Sequence, residues 1–454
     1  MRYYLMHKDI KAALIEINEQ GELIKIIDVL NAPHFPFGTA PKKGERNPSG
    51  LIRWWNNRRI PMSRNDLEKI RGIALPEGAT TRALLLRCCG LSLSDSFWVR
   101  PEEEDISFSE LDFFENEYSY DLGDALVGKN QGEAKNLMSP DATSEGNLKK
   151  RWKTVNGTRT LLKSGTPPYC YEVYNEVIAS AVCQALSIPH VPYSLLKDGE
   201  ETYCSCPDFV SYGQDFVTAN MIIEGLGKRN DESSYSFFVR TYRELGIENP
   251  EKEIGQMLLV DFLLGNEDRH LNNFGLIRDA KSLSFLGVAP IFDTGSSLGY
   301  AKNDQQLASW DKVPWKPFAS RSHPTQLDYL ENVDWLNPDA LFSLPSLVES
   351  LLESFGAAIP KARKEAIVRF LSRNVDAVAK RFNLRRGSET ILDAVDRAIL
   401  EYAAGNKQII ESAAACAKEI GVSAITALRH IEKLSSWNIL KRVGSRKTGY
   451  WTTK

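Results

Sequence analysis

The chain has 454 residues, of which 43% are hydrophobic and 25% are charged, values typical of a folded globular protein with two to three domains. Its 56 Lys and Arg residues and 59 Asp and Glu residues give a formal charge of −3. This composition excludes a largely disordered chain and a uniformly basic protein that coats nucleic acid.

Membrane and export signals are not expected from the sequence. No run approaches 18 uninterrupted apolar residues, and charged residues interrupt the first segment before the apolar core of a signal peptide could form. The seven cysteines are odd in number and scattered, which favours reduced thiols and a cytoplasmic protein. Their spacing does not match that of a zinc site.

Residues 1–130 are predicted to form an N-terminal α/β extension of unknown role. Two β-type runs, 12–17 and 23–29, flank a turn-forming stretch and predict a hairpin. Two helical patterns follow, at 51–58 and 64–71, and no catalytic motif is found in this segment.

A pair of tryptophans in this extension lies beside a pair of arginines. Trp54 and Trp55 are interpreted as core residues, with Arg58 and Arg59 as a solvated basic edge. The alternative is a surface that stacks on bases or on a partner.

The next segment, residues 131–385, begins with the order loop, strand, lysine, helix. The loop at 139–146 is small and polar, so its backbone N–H groups can cradle phosphates. A β-type run follows and ends in Lys163, which places an ammonium where it could meet nucleotide phosphates. In the helical pattern after it, Glu172 and Glu176 lie four residues apart on one face, and this spacing allows either to pair with Lys163.

The sharpest motif is Asp-Arg-His-Leu-Asn-Asn at 268–273, which follows an apolar helical run, and Asp293 later begins an Asp-Thr-Gly sequence after a second apolar run. An Asn in a loop and an Asp at a strand end can supply the few protein oxygens that Mg²⁺ takes when phosphates and water complete its shell. A separate carboxylate, Asp268, can then orient and deprotonate a hydroxyl. Its spacing to Asn273 is that of the protein-kinase catalytic loop.

Together these motifs resemble the HipA-like serine/threonine kinases. The Asp-Arg-His-x-x-Asn order is also that of the phosphoinositide-kinase superfamily, which looks structurally related. The resemblance covers residues 135–385 and implies a bilobal core, with an N-lobe at 131–215 and a C-lobe at 216–385. The order Asp-Arg-His reverses that of ordinary protein kinases, so their fold is not predicted.

The resemblance also implies roles for the residues of the second motif. Asp268 would be the catalytic base and His270 a residue that orders the loop. Asn273 and Asp293 would be the Mg²⁺ ligands of an ATP-dependent enzyme.

Upstream, the resemblance implies that Lys163 binds the ATP phosphates. It favours Glu176 as the partner of Lys163, because Asn175-Glu176 matches an Asn-Glu pair on the corresponding helix of the HipA-like proteins. The stretch 207–221 falls between the lobes and is where the adenine would be held.

The phosphate loop is the weakest match to the family, since Gly146 is its one glycine. Thr143, Ser144 and Gly146 are the expected nucleotide contacts in it. In HipA-like kinases a serine of this loop can be phosphorylated by the enzyme itself, which implies Ser144 or Thr143 as the site here.

Residues 388–454 are predicted to form a winged helix-turn-helix. Helical patterns at 391–400, 409–420 and 423–434 are followed by a hairpin pattern. From residue 437 to residue 454 there are five basic residues and no acidic ones, a local charge of +5.

This basic character favours DNA binding over the alternative of a dimerisation or docking module. The expected contacts are Arg429 and His430 on the recognition helix, with Arg446 and Lys447 in the wing.

The sequence therefore predicts an α+β protein with a bilobal HipA-type kinase core, an N-terminal α/β extension and a C-terminal winged helix. The expected function is that of an ATP- and Mg²⁺-dependent Ser/Thr protein kinase, as a toxin of a bacterial toxin–antitoxin type system. The alternatives are a transcriptional regulator whose kinase-like fold only senses nucleotide, and a kinase that acts on a lipid or small molecule. A protein substrate, duplex DNA and a homodimer are the partners considered, and no membrane is expected.

Overall fold

The computed structural model divides the chain into two units, Met1–Leu384 and Arg385–Lys454. The first unit contains the N-terminal segment together with the segment that carries the motifs. The helix expected at 64–71 lies outside the residues that the structure describes. The described residues are 1–41, 48–61, 80–129, 136–144, 146–308, 323–386, 394–406, 409–436, 439–444 and 449–453.

The first sheet is antiparallel, with the strand order β3-β2-β1-β4. Its strands are β1 Arg2–His7, β2 Ile10–Ile17, β3 Leu23–Val29 and β4 Phe97–Pro101. The predicted hairpin is present, since β2 pairs with β3 and Gly21 takes the left-handed φ of +76° in the turn between them. Ile15 and Ile17 of β2 are fully buried, the period-two pattern of a strand with one face on a core.

Helix α1, Ser49–Asn57, packs on this sheet through Leu51 and Trp55, which lie four residues apart and therefore on one face. Trp55 is a core residue, as expected. Arg58 is not part of a solvated edge, because its guanidinium is buried and binds both carboxylate oxygens of Asp95, at 2.5 and 2.7 Å. Two shorter helices follow, α2 Thr81–Arg87 and α3 Asp121–Leu126.

Two further antiparallel sheets form the segment that carries the motifs, with the orders β5-β6-β8-β7 and β11-β10-β9. The first has β5 Lys150–Val155, β6 Thr158–Lys163, β7 Ser194–Asp198 and β8 Glu201–Pro207. The second has β9 Gln214–Thr218, β10 Gly275–Asp279 and β11 Phe285–Val288. Helix α4, Tyr171–Ala185, packs against β8.

The remaining described helices of this unit include one that lies in the core. They are α5 Ala219–Leu226, α6 Ser234–Glu244, α7 Pro250–Leu264, α8 Asp304–Ala308, α9 His323–Gln326, α10 Pro338–Ser354 and α11 Lys361–Arg381. Helix α7 is buried on all sides over its last three turns, as expected of a helix that is apolar all round. It contributes to the largest hydrophobic cluster together with α10 and α11.

In its described residues the second unit has three helices and a three-stranded sheet of order β12-β14-β13. Its elements are α12 Ala394–Gly405, β12 Ile409–Ile410, α13 Ala413–Ile420, α14 Ala424–Ser436, β13 Leu440–Val443 and β14 Tyr450–Thr453. The helix predicted from residue 409 begins later, because Ile409 and Ile410 pair with β14 and Ser412 caps α13 by accepting from the Ala415 N–H. Gly421, with a φ of +74°, ends α13.

The chain is therefore a mixed α/β protein with antiparallel sheets, which confirms the predicted class at this level. Across the residues that the structure describes, no helix combines the length and the apolar character needed to cross a membrane.

A buried carboxylate joins the N-terminal sheet to the rest of the first unit. Asp215 on β9 contacts His7 of β1 at 3.0 Å and the Arg278 guanidinium at 2.9 Å, and it accepts from the Ser96 N–H at 3.0 Å. Burial acts to raise the pKa of Asp215, but hydrogen bonding and charge from His7 and Arg278 outweigh it and lower the pKa to about 2. The cluster therefore stabilises the attachment of the N-terminal segment.

We expect Asp215→Ala to lower the free energy of unfolding at pH 7 by about 3–5 kcal/mol, because the variant leaves a buried guanidinium without its counter-charge. Since the folded-state pKa lies below the unfolded one, the stabilisation is present above about pH 4 and is lost as the pH falls towards 2. Urea unfolding at pH 7 and pH 3 measures both effects. The exposed Asp231→Ala is the control, and an equal loss in that variant would contradict the assignment.

Candidate active site

The ammonium of Lys163 lies at the centre of the site. Lys163 is the last residue of β6, and its Nζ donates to Glu176 Oε1 at 3.2 Å, to the Tyr193 hydroxyl at 3.2 Å and to Asp293 Oδ1 at 2.7 Å. These partners come from α4, from the chain before β7 and from the Asp-Thr-Gly sequence. One lysine thus joins three distant parts of the chain.

The charges of this cluster shift one another. Burial acts to lower the pKa of Lys163, but Asp293, Tyr193 and Glu176 outweigh it and raise the pKa well above its usual value. Burial also acts to raise the pKa of Asp293, yet Lys163 overcomes it, so the Asp293 pKa is lowered and the carboxylate is ionised. Burial raises the pKa of Glu176, which Lys163 offsets only in part.

Helix α4 holds the Asp-Thr-Gly sequence in place through two side chains. Glu176 Oε2 accepts from the Thr294 N–H at 2.9 Å, and the Asn175 amide donates to the carbonyls of Gly295 and Ser297 at 3.1 and 2.7 Å. A Cβ at Gly295 would lie 2.9 Å from the Glu172 carbonyl oxygen, so only glycine allows this approach. Of the two glutamates on α4, Glu176 is the one that pairs with Lys163, which also pairs with Asp293.

The other candidate for that pair, Glu172, lies elsewhere. It is buried, and its Oε2 accepts from the Thr166 N–H at 3.1 Å. The spacing of the two glutamates could not distinguish them, because the orientation of α4 against β6 decides which one meets Lys163.

A buried arginine, Arg269, to which the sequence assigned no role, organises the motif loop and the Asp-Thr-Gly sequence. The Arg269 guanidinium is fully buried and contacts both carboxylate oxygens of Asp261, at 3.0 to 3.3 Å. It also donates to the carbonyls of Asn273 and Phe292 at 2.9 and 2.6 Å and to Thr294 Oγ1 at 2.9 Å. Asp261 was missed, although a lone acid inside the apolar run of α7 is the signal that could have found it.

The loop of the Asp-Arg-His motif is held by its own amide and imidazole groups. The Asn273 side chain donates to the Asp268 carbonyl at 3.1 Å, and His270 Nδ1 accepts from the Asn272 N–H at 3.3 Å. Asn266, also fully buried, accepts from the Asp268 N–H at 3.1 Å. These contacts fix the backbone between Asp268 and Asn273.

A cavity of about 870 Å³ opens onto these groups. Lys163, His270, Asn273 and Asp293 line it, whereas Glu176 lies behind Lys163 and is not among the lining residues. Asp268 belongs to the same loop but does not line the cavity either. Of the four groups that the sequence predicts to meet, Lys163, Asn273 and Asp293 therefore line one cavity, whereas Asp268 lies beside it in the motif loop.

Thr143, Ser144 and Gly146 of the expected phosphate loop also line the cavity. The loop is less open than a glycine-rich loop, because residues 140–143 form a 3₁₀ turn that the Ser139 hydroxyl caps. Thr143 Oγ1 donates to the Pro140 carbonyl at 3.0 Å, while Ser144 Oγ is buried with no hydrogen-bond partner among the described residues. Gly146 takes a φ of +86°, which favours glycine there.

The stretch expected to hold the adenine contributes the end of β8 and the residues after it. Asp208 and Phe209 line the cavity, and the Phe209 ring stacks on Phe292 at a centroid distance of 4.9 Å. Burial raises the pKa of Asp208 to about 7, although backbone N–H groups of Phe209 and Val210 act against it. Asp208 was not predicted, since a single acid after a strand has no distinguishing pattern.

The residues present fit a magnesium nucleotide by their chemistry. An ionised carboxylate, Asp293, whose side chain is 35% exposed, and an amide, Asn273, face the cavity from one side. Mg²⁺ prefers such oxygens and normally takes only a few from protein. Lys163 supplies an ammonium beside them, and Thr143, Ser144 and Gly146 line the same cavity.

No protein-family model matches the chain, and no curated protein sequence does. In structure it is similar to the Helicobacter pylori proinflammatory kinase CtkA, with 21% identity and a TM-score of 0.43 over 53% of this chain and 93% of that one. It is also similar to HipA of a Shewanella oneidensis toxin–antitoxin system, solved with HipB and operator DNA. Here the identity is 12% and the TM-score 0.48, over 85% of this chain and 100% of that one.

The first of these structures is named as a kinase and the second as HipA.

The DNA contacts expected in the second unit need one correction. His430 is buried, and its Nδ1 lies 2.8 Å from the carboxylate of Asp396 on α12, so its ring is part of the helix packing and does not face a ligand. Arg429 is exposed on α14. Arg446 and Lys447 lie outside the described residues.

We expect Arg269→Lys to lower the free energy of unfolding by about 3–5 kcal/mol, because an ammonium cannot reach Asp261 and three backbone or hydroxyl acceptors at once. Denaturant unfolding at neutral pH measures the loss. Arg369→Lys, on a side chain that is 62% exposed, is the matched control and should change little. A variant as stable as wild type would show that Arg269 does not organise the site.

Proposed function

We propose that the chain is an ATP- and Mg²⁺-dependent phosphotransferase that phosphorylates serine or threonine in a protein. The observation that carries the proposal is that Lys163, Asn273 and Asp293 line one cavity, with the Lys163 ammonium 2.7 Å from Asp293 and 3.2 Å from Glu176. We further propose the HipA-type bilobal arrangement, with lobes at 131–215 and 216–385, and a toxin of a toxin–antitoxin type system as the biological role.

In this proposal each residue of the cluster has one task. Lys163 binds the nucleotide phosphates, and Glu176 holds its ammonium at the strand end. Asn273 and Asp293 hold Mg²⁺, which when bound neutralises charge on the phosphates. Arg269 keeps Asn273 and the Asp293 segment together by binding the backbone of both.

Asp268 is the proposed general base. The acceptor hydroxyl attacks the terminal phosphorus, the bond to the ADP oxygen breaks, and Asp268 takes the hydroxyl proton. Asp268 does not itself line the cavity, but it lies on the motif loop whose His270 and Asn273 do.

We expect wild-type protein to bind Mg-ATP and to transfer labelled phosphate. Asp268→Asn should reduce turnover by about 10²–10⁴-fold and leave ATP binding nearly unchanged, because a base acts in the chemical step. Asp293→Asn should weaken binding in the presence of Mg²⁺. Calorimetry and labelling with γ-³²P-ATP measure the two effects.

The exposed Asp231→Asn is the control for these carboxylate substitutions and should behave as wild type. Mass spectrometry of the labelled protein would locate any self-phosphorylation, for which we propose Ser144 before Thr143, since the Ser144 hydroxyl has no partner among the described residues. The proposal fails if wild-type protein binds no Mg-nucleotide at millimolar concentration.

A second function, binding of duplex DNA, is proposed for the winged helix expected at residues 388–454. Its support is the set of exposed cations Arg429, Lys441 and Arg442 on α14 and β13. Ile425 of α14 is 82% exposed, which is also compatible with docking of a protein.

We expect the full chain to bind duplex DNA with an affinity that falls steeply with salt. Removing one cation that binds a phosphate, as in Arg429→Gln or Lys441→Gln, should reduce the slope of log K against log[salt] by about 0.9. Fluorescence anisotropy over a salt series measures this slope. The exposed Lys281→Gln is the control, and binding that is absent or independent of salt would leave docking as the function of this unit.

A further inference from the structure

The N-terminal segment forms one wall of the cavity that contains Lys163 and Asp293. Helix α1 and the residues after it contribute Arg53, Trp54, Asn57 and Arg59 to the lining, and the chain before β4 contributes residues 92–95. The extension for which the sequence offered no role therefore faces the candidate phosphate-transfer site.

This wall is held rigidly against the rest of the unit. Arg58 binds Asp95 within the wall, and Arg53 reaches Glu224 of α5 at 3.1 Å. Gly38 and Gly225 approach so closely that a Cβ on Gly38 would lie 2.4 Å from the Gly225 Cα. A wall fixed in this way can select a ligand without first being ordered.

Arg59 differs from the neighbouring arginines in its partners. Arg53, Arg58 and Arg82 pair with Glu224, Asp95 and Glu22. Within the described part of the chain, Arg59 has no carboxylate within 4 Å. Its guanidinium donates to neutral oxygens, the Asn56 carbonyl at 3.2 Å and the Thr81 hydroxyl at 3.5 Å.

The environment of Arg59 is unfavourable for its charge. Burial lowers the pKa of Arg59, and the like charge of Arg82 adds to the effect. A guanidinium nevertheless stays protonated, so the cation is partly desolvated with no counter-ion among the described residues. An anion that enters the cavity along this wall would supply the missing charge.

We propose that Arg59 binds a carboxylate of the acceptor, and that the acceptor is an acidic polypeptide segment lying along the α1 wall. This inference rests on the proposed phosphotransferase function and names its substrate class. The cations that the α1 wall itself contributes are Arg59 and the partnered Arg53 and Arg58. A nucleic-acid backbone needs an available cation at several successive phosphates, which this wall does not supply. Asn57, exposed on α1, and Trp54 offer the amide and apolar contacts that a peptide uses.

The test compares serine- and threonine-containing peptides that differ only in Asp or Asn beside the hydroxyl. Wild-type protein should phosphorylate the Asp peptides with a KM about tenfold lower than that for the Asn peptides. About tenfold is the gain in affinity expected from one charge-assisted hydrogen bond. Arg59→Gln should remove this preference and leave the Kd for Mg-ATP unchanged. Arg59→Glu should transfer the preference to peptides with Lys at the same position.

Arg87→Gln, an exposed arginine of the same segment that does not line the cavity, is the control and should keep the wild-type preference. Three results would overturn the inference: equal KM values for acidic and neutral peptides, a loss of Mg-ATP affinity in Arg59→Gln that matches its effect on peptides, or labelling of RNA in place of peptides.

Failure of the phosphotransferase proposal can be told apart from failure of this one. Anisotropy of a fluorescent acidic peptide, measured without nucleotide, reports the Arg59 contact directly. If wild-type protein binds no Mg-ATP but binds the peptide in an Arg59-dependent way, the binding site stands without the catalytic role. If Arg59→Gln binds the peptide as tightly as wild type, the proposed contact is wrong.

Discussion

The buried guanidinium of Arg269 lies where three segments of the chain meet. It binds Asp261 at the end of the central helix, the carbonyl of Asn273 in the motif loop, and the Phe292 carbonyl and Thr294 hydroxyl beside Asp293. A fully buried cation is costly unless its hydrogen bonds and counter-charge are all supplied. That requirement ties the positions of Asn273 and Asp293 to each other, so that any function of the cavity depends on this one group.

Lys163 is a second buried cation that needs counter-charges, and it too fixes the groups around it. One ammonium faces two carboxylates, Glu176 and Asp293, and the two differ in environment because Glu176 is buried whereas Asp293 is open to the cavity. Glu176 also accepts from the Thr294 N–H, so it is a structural partner of both Lys163 and the segment that carries Asp293. The Asp293 carboxylate is open to the cavity and held in position there, which is the property that a metal ligand requires.

The N-terminal segment completes the cavity because buried charges attach it. Asp215 joins β1 to the β9–β10 pair, and Arg58 with Asp95 fixes the end of α1 beside the cavity. These are interactions between residues far apart in the chain, and they convert an apparently separate extension into a wall of the site. Arg59 on that wall donates to two neutral oxygens, and it is the group that we propose binds the acceptor.

The sequence by itself determined the local elements and the chemistry-bearing residues. Period-two and helical patterns predicted the first hairpin and α4, and the motifs singled out Lys163, Asp268, Asn273 and Asp293 as a set, of which all but Asp268 line the cavity. Only the tertiary structure decided which residues meet. It placed Glu176 against Lys163, which the spacing left open and only the family resemblance favoured. It also buried Arg58 and His430 and paired Asp261 with Arg269, because such contacts depend on how elements pack. Periodicity reports only the face of an element on which a side chain lies. The fold decides its partner, as for His7 and Asp215, which lie 208 residues apart in the chain.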